Sequence, residues 1–217
     1  MALTQEQVVK RAVDLMAEVG LEALTLRRLA TELGVSAPTL YWHVRNKREL
    51  LDLMAEALVA RAGRATSPAP GQPWWEWLAE QARLQWRALT SHRDAALVVA
   101  GNRPTDTALP GIEQVMASLV AVGFPPAEAL RTILSIGNYV IGCAVERQAE
   151  AARDPDPERD ARLLQQAGDL PHLRAALAGL DGPGPSADDA GFEYGLALLI
   201  SGVRAHHAAL AGAGAAT

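Results

Sequence analysis

Cysteine is almost missing from this chain. The single Cys143 excludes an intramolecular disulfide and any metal site built from several thiolates. Its apolar neighbours give it none of the electropositive setting that activates a thiol, so it reads as a small buried residue. Lysine is nearly as scarce, at Lys10 and Lys47 alone, which leaves positive charge to arginine. Long hydrophobic runs are lacking too: none approaches the ~18 consecutive apolar residues of a membrane span. The opening MALTQEQVVKRAVDLMAEVG has no basic, apolar and small-residue order of a secretory signal. A cytoplasmic protein without a membrane partner is expected.

Catalytic signatures are absent as well. The histidines (His43, His92, His172, His206 and His207) form no HExxH, and adjacent His206 and His207 cannot face one way on a helix. No GxSxG, phosphate-binding loop or dinucleotide glycine motif occurs. The expectation is a non-enzyme with no cofactor and no metal ligand set. A constitutive DNA-binding protein without an effector remains as a competing reading of what is present.

What is present is helical periodicity, in 217 residues of which 49% are apolar, enough for one or two domains with a hydrophobic core. Val8/Val9, Ala12, Leu15/Met16 and Val19 recur at helical spacing before Gly20, which predicts a helix over Thr4 to Val19. Thr25 reads as the N-cap of a short helix burying Leu29, Ala30 and Leu33, closed by Gly34. Ser36 caps a third, with Pro38 in the first turn, where its missing N–H is not needed.

Aromatic residues are few, yet Tyr41 and Trp42 stand side by side in that third helix. At 100° per residue Leu40 and Val44 share one face, while Pro38, Thr39, Trp42 and His43 point the other way. If the first face is core, the second is not. The net charge of -5 hides a local excess: from Thr25 to Arg48 there are Arg27, Arg28, Arg45, Lys47 and Arg48 against Glu32 alone. Two short helices joined by Gly34-Val35-Ser36, with an outward aromatic and polar face beside arginines, make a helix-turn-helix whose partner is double-stranded DNA. Thr39 and His43 are placed for base edges or phosphates, Pro38 and Trp42 for thymine methyls or sugars, and Lys47 for a phosphate. A protein interface is the alternative use of an exposed Tyr-Trp pair.

The segment LTLRRLATELGVSAPTLYWHVRNKRELLD (Leu24 to Asp52) resembles the DNA-binding module of the tetracycline repressor (TetR) family. The resemblance continues through SHRDAALVVAGNRPT (Ser91 to Thr105), GFPPAEAL (Gly123 to Leu130), IGCAVERQ (Ile141 to Gln148) and FEYGLALLISG (Phe192 to Gly202), and is strongest to the tetracycline-responsive members. It implies an all-α chain in three parts. Residues 1–46 form the helix-turn-helix domain, 47–66 a connecting helix, and 67–217 an effector-binding and dimerisation domain. Arg27, Arg28, Ala37, Pro38, Thr39, Tyr41, Trp42, His43 and Lys47 are then the DNA-binding set. The chain's own pattern is consistent with this division. Leu50/Leu51, Met54 and Leu58 stripe a helix over Lys47 to Arg64, and TSPAPGQP is a natural boundary. Further helices are expected over Trp74 to Ala88, near Ala95, over Gly111 to Val122, Pro126 to Ala151 and Asp188 to Leu210. DPDPERD and Gly179 to Ser186 read as loops around one short helix, and AGAGAAT as a frayed tail.

Two further expectations come from the resemblance. The long helix (Ile133, Gly137, Val140/Ile141, Ala144) and the last (Leu196, Leu199/Ile200, Val203) match the family's four-helix dimer interface, although each residue singly also suits a core. The implied homodimer would read a pseudo-palindromic operator. For the effector, tetracycline-binding members hold the drug as a magnesium chelate through a histidine on the sixth helix and a carboxylate on the eighth. Here Val99 stands at the histidine's position and Glu146 at the carboxylate's. Arg103 matches a loop arginine; Gly63, Gln81, Gln85 and Asn138 replace other drug contacts. The effector is therefore expected to be a small molecule of unknown identity, held by Gln81, Gln85, Val99, Arg103, Asn138 and Glu146 without that chelate. Trp86 and Ile141 are expected to add apolar walls to the pocket. Gln81 and Gln85, four apart, also fit a merely solvated helix face. His92 and Asp94 match a turn that organises the loop between helices.

Overall fold

A reciprocal cap starts the chain: Thr4 Oγ1 accepts from the Gln7 N–H, and Gln7 Oε1 accepts from the Thr4 N–H. Helix α1 (Gln5–Val19) follows and stops at Gly20, whose φ of 84° is open to glycine but strained for other residues. The computed structural model describes residues 3–61, 67–102, 104–178 and 189–214. Thr25 caps α2 (Leu26–Glu32) and Ser36 caps α3 (Ala37–Tyr41). Helix α3 is shorter than the wheel assumed, because Trp42 is already its C-cap. The turn nevertheless persists through His43 and Val44, whose N–H groups both donate to the Leu40 carbonyl.

The remaining helices are α4 (Lys47–Arg61), α5 (Trp74–Thr90), α6 (Ala95–Val99), α7 (Leu109–Ala121), α8 (Pro126–Ala151), α9 (Pro157–Gly168), α10 (Pro171–Ala178) and α11 (Asp189–Gly214). No strand occurs among the described residues, so the fold is all-α as expected. The DPDPERD segment departs from its reading as a loop: Asp156 accepts from the Arg159 N–H and Pro157 fills the first helical position, so its last residues open α9. Two helices, α9 and α10, stand where one was expected. Helix α11 also runs past Leu210 to Gly214. Residues 62–64 of the expected connecting helix, the stretch 179–186 and the last three residues of the tail lie outside the described residues.

Two apolar cores result. The first joins Val8, Ala12, Leu15 and Met16 of α1 to Leu29, Leu40 and Val44, and takes in Leu50, Met54 and Leu58 of α4 with Ala95 and Val98 of α6. The second gathers Trp77, Leu78, Ala82 and Leu89 of α5, Ile136, Val140 and Ala144 of α8, and Phe192, Leu196 and Ile200 of α11. Val140, Ala144, Leu196 and Ile200 are thus spent on the chain's own core rather than left for a partner. The exposed apolar stripe lies beside them, at Leu130 and Leu134 of α8 and Tyr194 and Leu198 of α11. Helices α8 and α11 approach closely at Gly195, where the Tyr139 hydroxyl lies over the glycine and donates to the Phe192 carbonyl at 2.8 Å.

Candidate DNA-binding surface and effector site

The two-sided wheel of α3 is realised. Leu40 and Val44 are each 1% exposed, whereas Trp42 is 89% and Tyr41 52% exposed. Ala37, Pro38 and Lys47 are exposed, Thr39 and His43 half-buried, and Arg27 and Arg28 of α2 are exposed. The Ser36 and Thr39 hydroxyls lie 2.8 Å apart, so the residue placed for base edges also helps cap its own helix. Gln5 Nε2 donates to the His43 carbonyl at 2.9 Å, which ties the end of this turn to the start of α1.

Electrostatics sharpen the same face. Glu32, the one acidic residue between Thr25 and Arg48, is held by Arg11, which donates to it at 2.7 Å and to Glu18 at 2.8 Å. The Arg11 hydrogen bond holds the Glu18 carboxyl below the usual carboxylate range. One residue leaves the basic set: Arg48 turns toward the segment after α6, donating to the Gly101 carbonyl at 2.7 Å and pairing with Asp52 at 3.4 Å. Arg27, Arg28, Arg45 and Lys47 remain free of any ion pair among those resolved, and all are exposed.

Several bonds tie α4 and the α1–α2 turn to α6 and the segment after it. Asp94, at φ 61°, accepts the Leu21 N–H on Oδ2 at 2.7 Å, and the His92 carbonyl accepts from Gln148 Nε2 at 3.0 Å. This matches the expected turn-organising role of His92 and Asp94. Asn102 Nδ2 donates to the Leu51 carbonyl at 3.3 Å. The Glu56 carboxylate accepts from the Thr105 N–H at 2.7 Å and from the Thr105 and Thr107 hydroxyls. Nothing local in the sequence signals these pairs, whose members stand roughly fifty to seventy residues apart.

The effector set is more scattered. Gln81 and Gln85 are half-buried on α5, and Val99 is half-buried at the end of α6. Asn138 and Glu146 are exposed, on the same every-fourth-residue stripe of α8 as Leu130 and Leu134. Arg103 and Gly63 lie outside the described residues. Trp86 is not available as a pocket wall. It is buried, stacked on Phe192 with ring centroids 4.4 Å apart; its Nε1–H donates to Asp189, and the Arg147 guanidinium lies over it. Two grooves border α11: one of about 360 Å³ against α5, lined by Trp75, Glu80 and Arg83, and one of about 330 Å³ against α8, lined by Arg131 and His206. None of the expected effector residues lines either.

Residues 8–54 match the family model described as bacterial regulatory proteins, tetR family, and residues 67–207 match tetracyclin repressor-like, C-terminal domain. The chain belongs to the TetR family. Among TetR relatives, the class A tetracycline repressor protein from transposon 1721 of Escherichia coli is 37% identical, over 93% of this chain and 90% of that protein. A TetR variant from Acinetobacter baumannii, solved in complex with minocycline, superposes with a TM-score of 0.76 at 34% identity, covering 93% of each chain. The TetR-family protein ActR of Streptomyces coelicolor, solved with actinorhodin, gives 0.77 at 29% identity, covering 95% of this chain and 98% of that one. The named relatives are transcriptional regulators and repressors, and this TetR-family chain is a ligand-responsive DNA-binding regulator. Among the described residues no single helix is long and apolar enough to cross a membrane.

Proposed function

We propose that this protein is a cytoplasmic, non-enzymatic repressor that binds a twofold operator as a homodimer and leaves it when a small effector binds. The observation that carries the DNA side is Trp42, 89% exposed at the end of a helix whose opposite face is committed to the core, with exposed Arg27, Arg28 and Arg45 in the same helix-turn-helix. Residues 1–46 would enter the major groove, with Pro38, Thr39, Trp42 and His43 at base edges. Ala37 and Tyr41 would flank them, and Arg27, Arg28 and Lys47 would sit on phosphates. Residues 47–66 connect this unit to residues 67–217, which hold the effector and the dimer contact. The direct test is selection of bound sequences from a random duplex pool by the purified protein, followed by footprinting. A twofold-symmetric winner is expected, and no enrichment at low salt would return Tyr41 and Trp42 to the status of a protein interface.

Gln81, Gln85, Val99, Arg103, Asn138 and Glu146 are assigned to the effector. Asn138 and Glu146 face away from the chain's own core, so an effector held by both lies outside that core. A magnesium chelate does not fit this set: Val99 offers a metal no ligand atom, and a magnesium ion needs near-ideal octahedral oxygen ligation. One solved relative, TetR class A, holds 5a,6-anhydrotetracycline with magnesium. For the present chain, calorimetry with tetracycline and magnesium is expected to give no binding in the micromolar range, and micromolar or tighter binding would overturn the assignment.

Release follows from a two-state switch. Effector binding shifts the segment after α6, α4 moves with it, and the two recognition turns no longer fit successive grooves. A coupling of about 1–3 kcal/mol is typical of such systems, whereas moving the population almost completely takes about 5.5 kcal/mol.

A further inference from the structure

Helix α4 and the segment after α6 are joined at three points. Arg48 donates to the Gly101 carbonyl, the Leu51 carbonyl accepts from Asn102, and Glu56 meets Thr105 and Thr107. The first two are single bonds to backbone carbonyls. The third differs in kind, because the half-buried Glu56 uses both carboxylate oxygens: Oε1 takes the Thr105 N–H at 2.7 Å and the Thr105 hydroxyl, and Oε2 takes the Thr107 hydroxyl. An ionised carboxylate only accepts, and here the segment supplies three donors to it. Bonds of this charge-assisted kind are about twice as strong as neutral ones.

We propose that Glu56 is the positioning residue through which Thr105–Thr107 fixes the connecting helix, and with it the separation of the two DNA-reading surfaces. The inference rests on the regulator reading above and names the contact that regulates it. Leu50, Met54 and Leu58 of α4 share one core with Leu40 and Val44, so a displacement of α4 is carried rigidly to the reading turn. Without Glu56, the described part of the segment keeps its two upstream bonds to α4, one from the charged Arg48 guanidinium and one from the neutral Asn102 amide, and the packing of α4 on α6.

Linkage is reciprocal: if the segment controls operator affinity, operator binding must alter the segment by the same factor. The test therefore needs no effector. Amide hydrogen exchange is followed on the full chain with and without the selected operator duplex. In the wild type, the duplex is expected to change the opening equilibrium of the Thr105 amide about fivefold or more, the low end of common couplings. Glu56→Ala removes both acceptor oxygens at once. It lies away from Trp42 and the free arginines, so the duplex still binds, but the response at Thr105 is lost. A Thr105→Val, Thr107→Val double variant removes two donors from the other side, leaves α4 unaltered, and is expected to give the same loss.

A merely structural Glu56 would lower thermal stability and raise exchange in the free protein, yet leave the operator-induced ratio as in the wild type. That result overturns the proposal, as does a wild-type segment that does not respond while the duplex is bound. Failure of the regulator reading looks different: no protein, wild type included, binds any duplex specifically, and both conclusions then fall together.

Discussion

Raising salt from about 50 to about 200 mM is expected to weaken operator binding by roughly a thousand- to a hundred-thousand-fold. Arg27, Arg28, Arg45 and Lys47 are exposed, while Arg48 is drawn off to Gly101 and Asp52. Four cations per protomer make about eight in a twofold dimer, and their phosphate contacts give a log–log salt slope near -7. The Arg11 clamp on Glu32 engages the one carboxylate between Thr25 and Arg48. Trp42→Ala removes no charge, so its slope should match the wild type. It should instead cost about 1.5–3 kcal/mol per protomer on the selected duplex, the scale of burying a large apolar side chain, and far less on a scrambled one. Anisotropy titrations of both duplexes across salt separate the two effects. A flat salt response, or equal losses of the alanine variant on both duplexes, would remove α3 from the role of reader.

Gly195→Ala should destabilise the protein, against the ordinary gain of about 0.5–1 kcal/mol from replacing a mid-helix glycine with alanine. A Cβ at this position would lie 2.2 Å from the Tyr139 hydroxyl oxygen and 2.8 Å from the ring carbon bearing it. Tyr139 cannot easily swing away. Its ring stacks on Phe192, its hydroxyl donates to the Phe192 carbonyl, and burial, followed by the neighbouring Cys143, pushes the phenol up to about 12. Overpacking of this kind costs about 1–3 kcal/mol, and each kcal/mol lowers the melting temperature of a chain this size by about 2–4 °C. Removing the obstructing hydroxyl in a Tyr139→Phe, Gly195→Ala double variant should recover part of the loss. Urea unfolding of the four proteins of this cycle reads the coupling. A Gly195→Ala variant at least as stable as wild type would mean that α8 and α11 are not held this closely.

The N-terminal unit was legible because its signals are local. Thr4, Thr25 and Ser36 each sit where a helix begins, and two-sided periodicity separated Leu40 and Val44 from Trp42. Such signals fail when local chemistry has two uses. In DPDPERD the proline that reads as a breaker is the first residue of α9, and only the Asp156 side chain decides between them. The effector region was less legible because its side chains are spent by distant partners. Trp86 is consumed by Phe192 and Asp189, over a hundred residues away, and nothing in the α5 pattern could show that. Val140, Ala144, Leu196 and Ile200 had the right type for an interface, but packing of α8 on α11 turns them inward. Glu56 carried no motif at all. Its importance exists only once the chain brings Thr105 and Thr107 against it.

The brevity of α3 bears on how much of a genome one subunit can tell apart. With Trp42 and His43, which continue its turn, its seven residues span about 10.5 Å at 1.5 Å per residue, which against a rise of about 3.4 Å per base pair covers about three letters of text. A few dozen words are distinguishable at that length, and a twofold pair of readers raises the vocabulary only to a few thousand, far below the ~10⁶–10⁹ competing positions on a chromosome. The missing information has to come from outside α3: from the fixed spacing between the two words and from the bendability of the letters that no side chain touches.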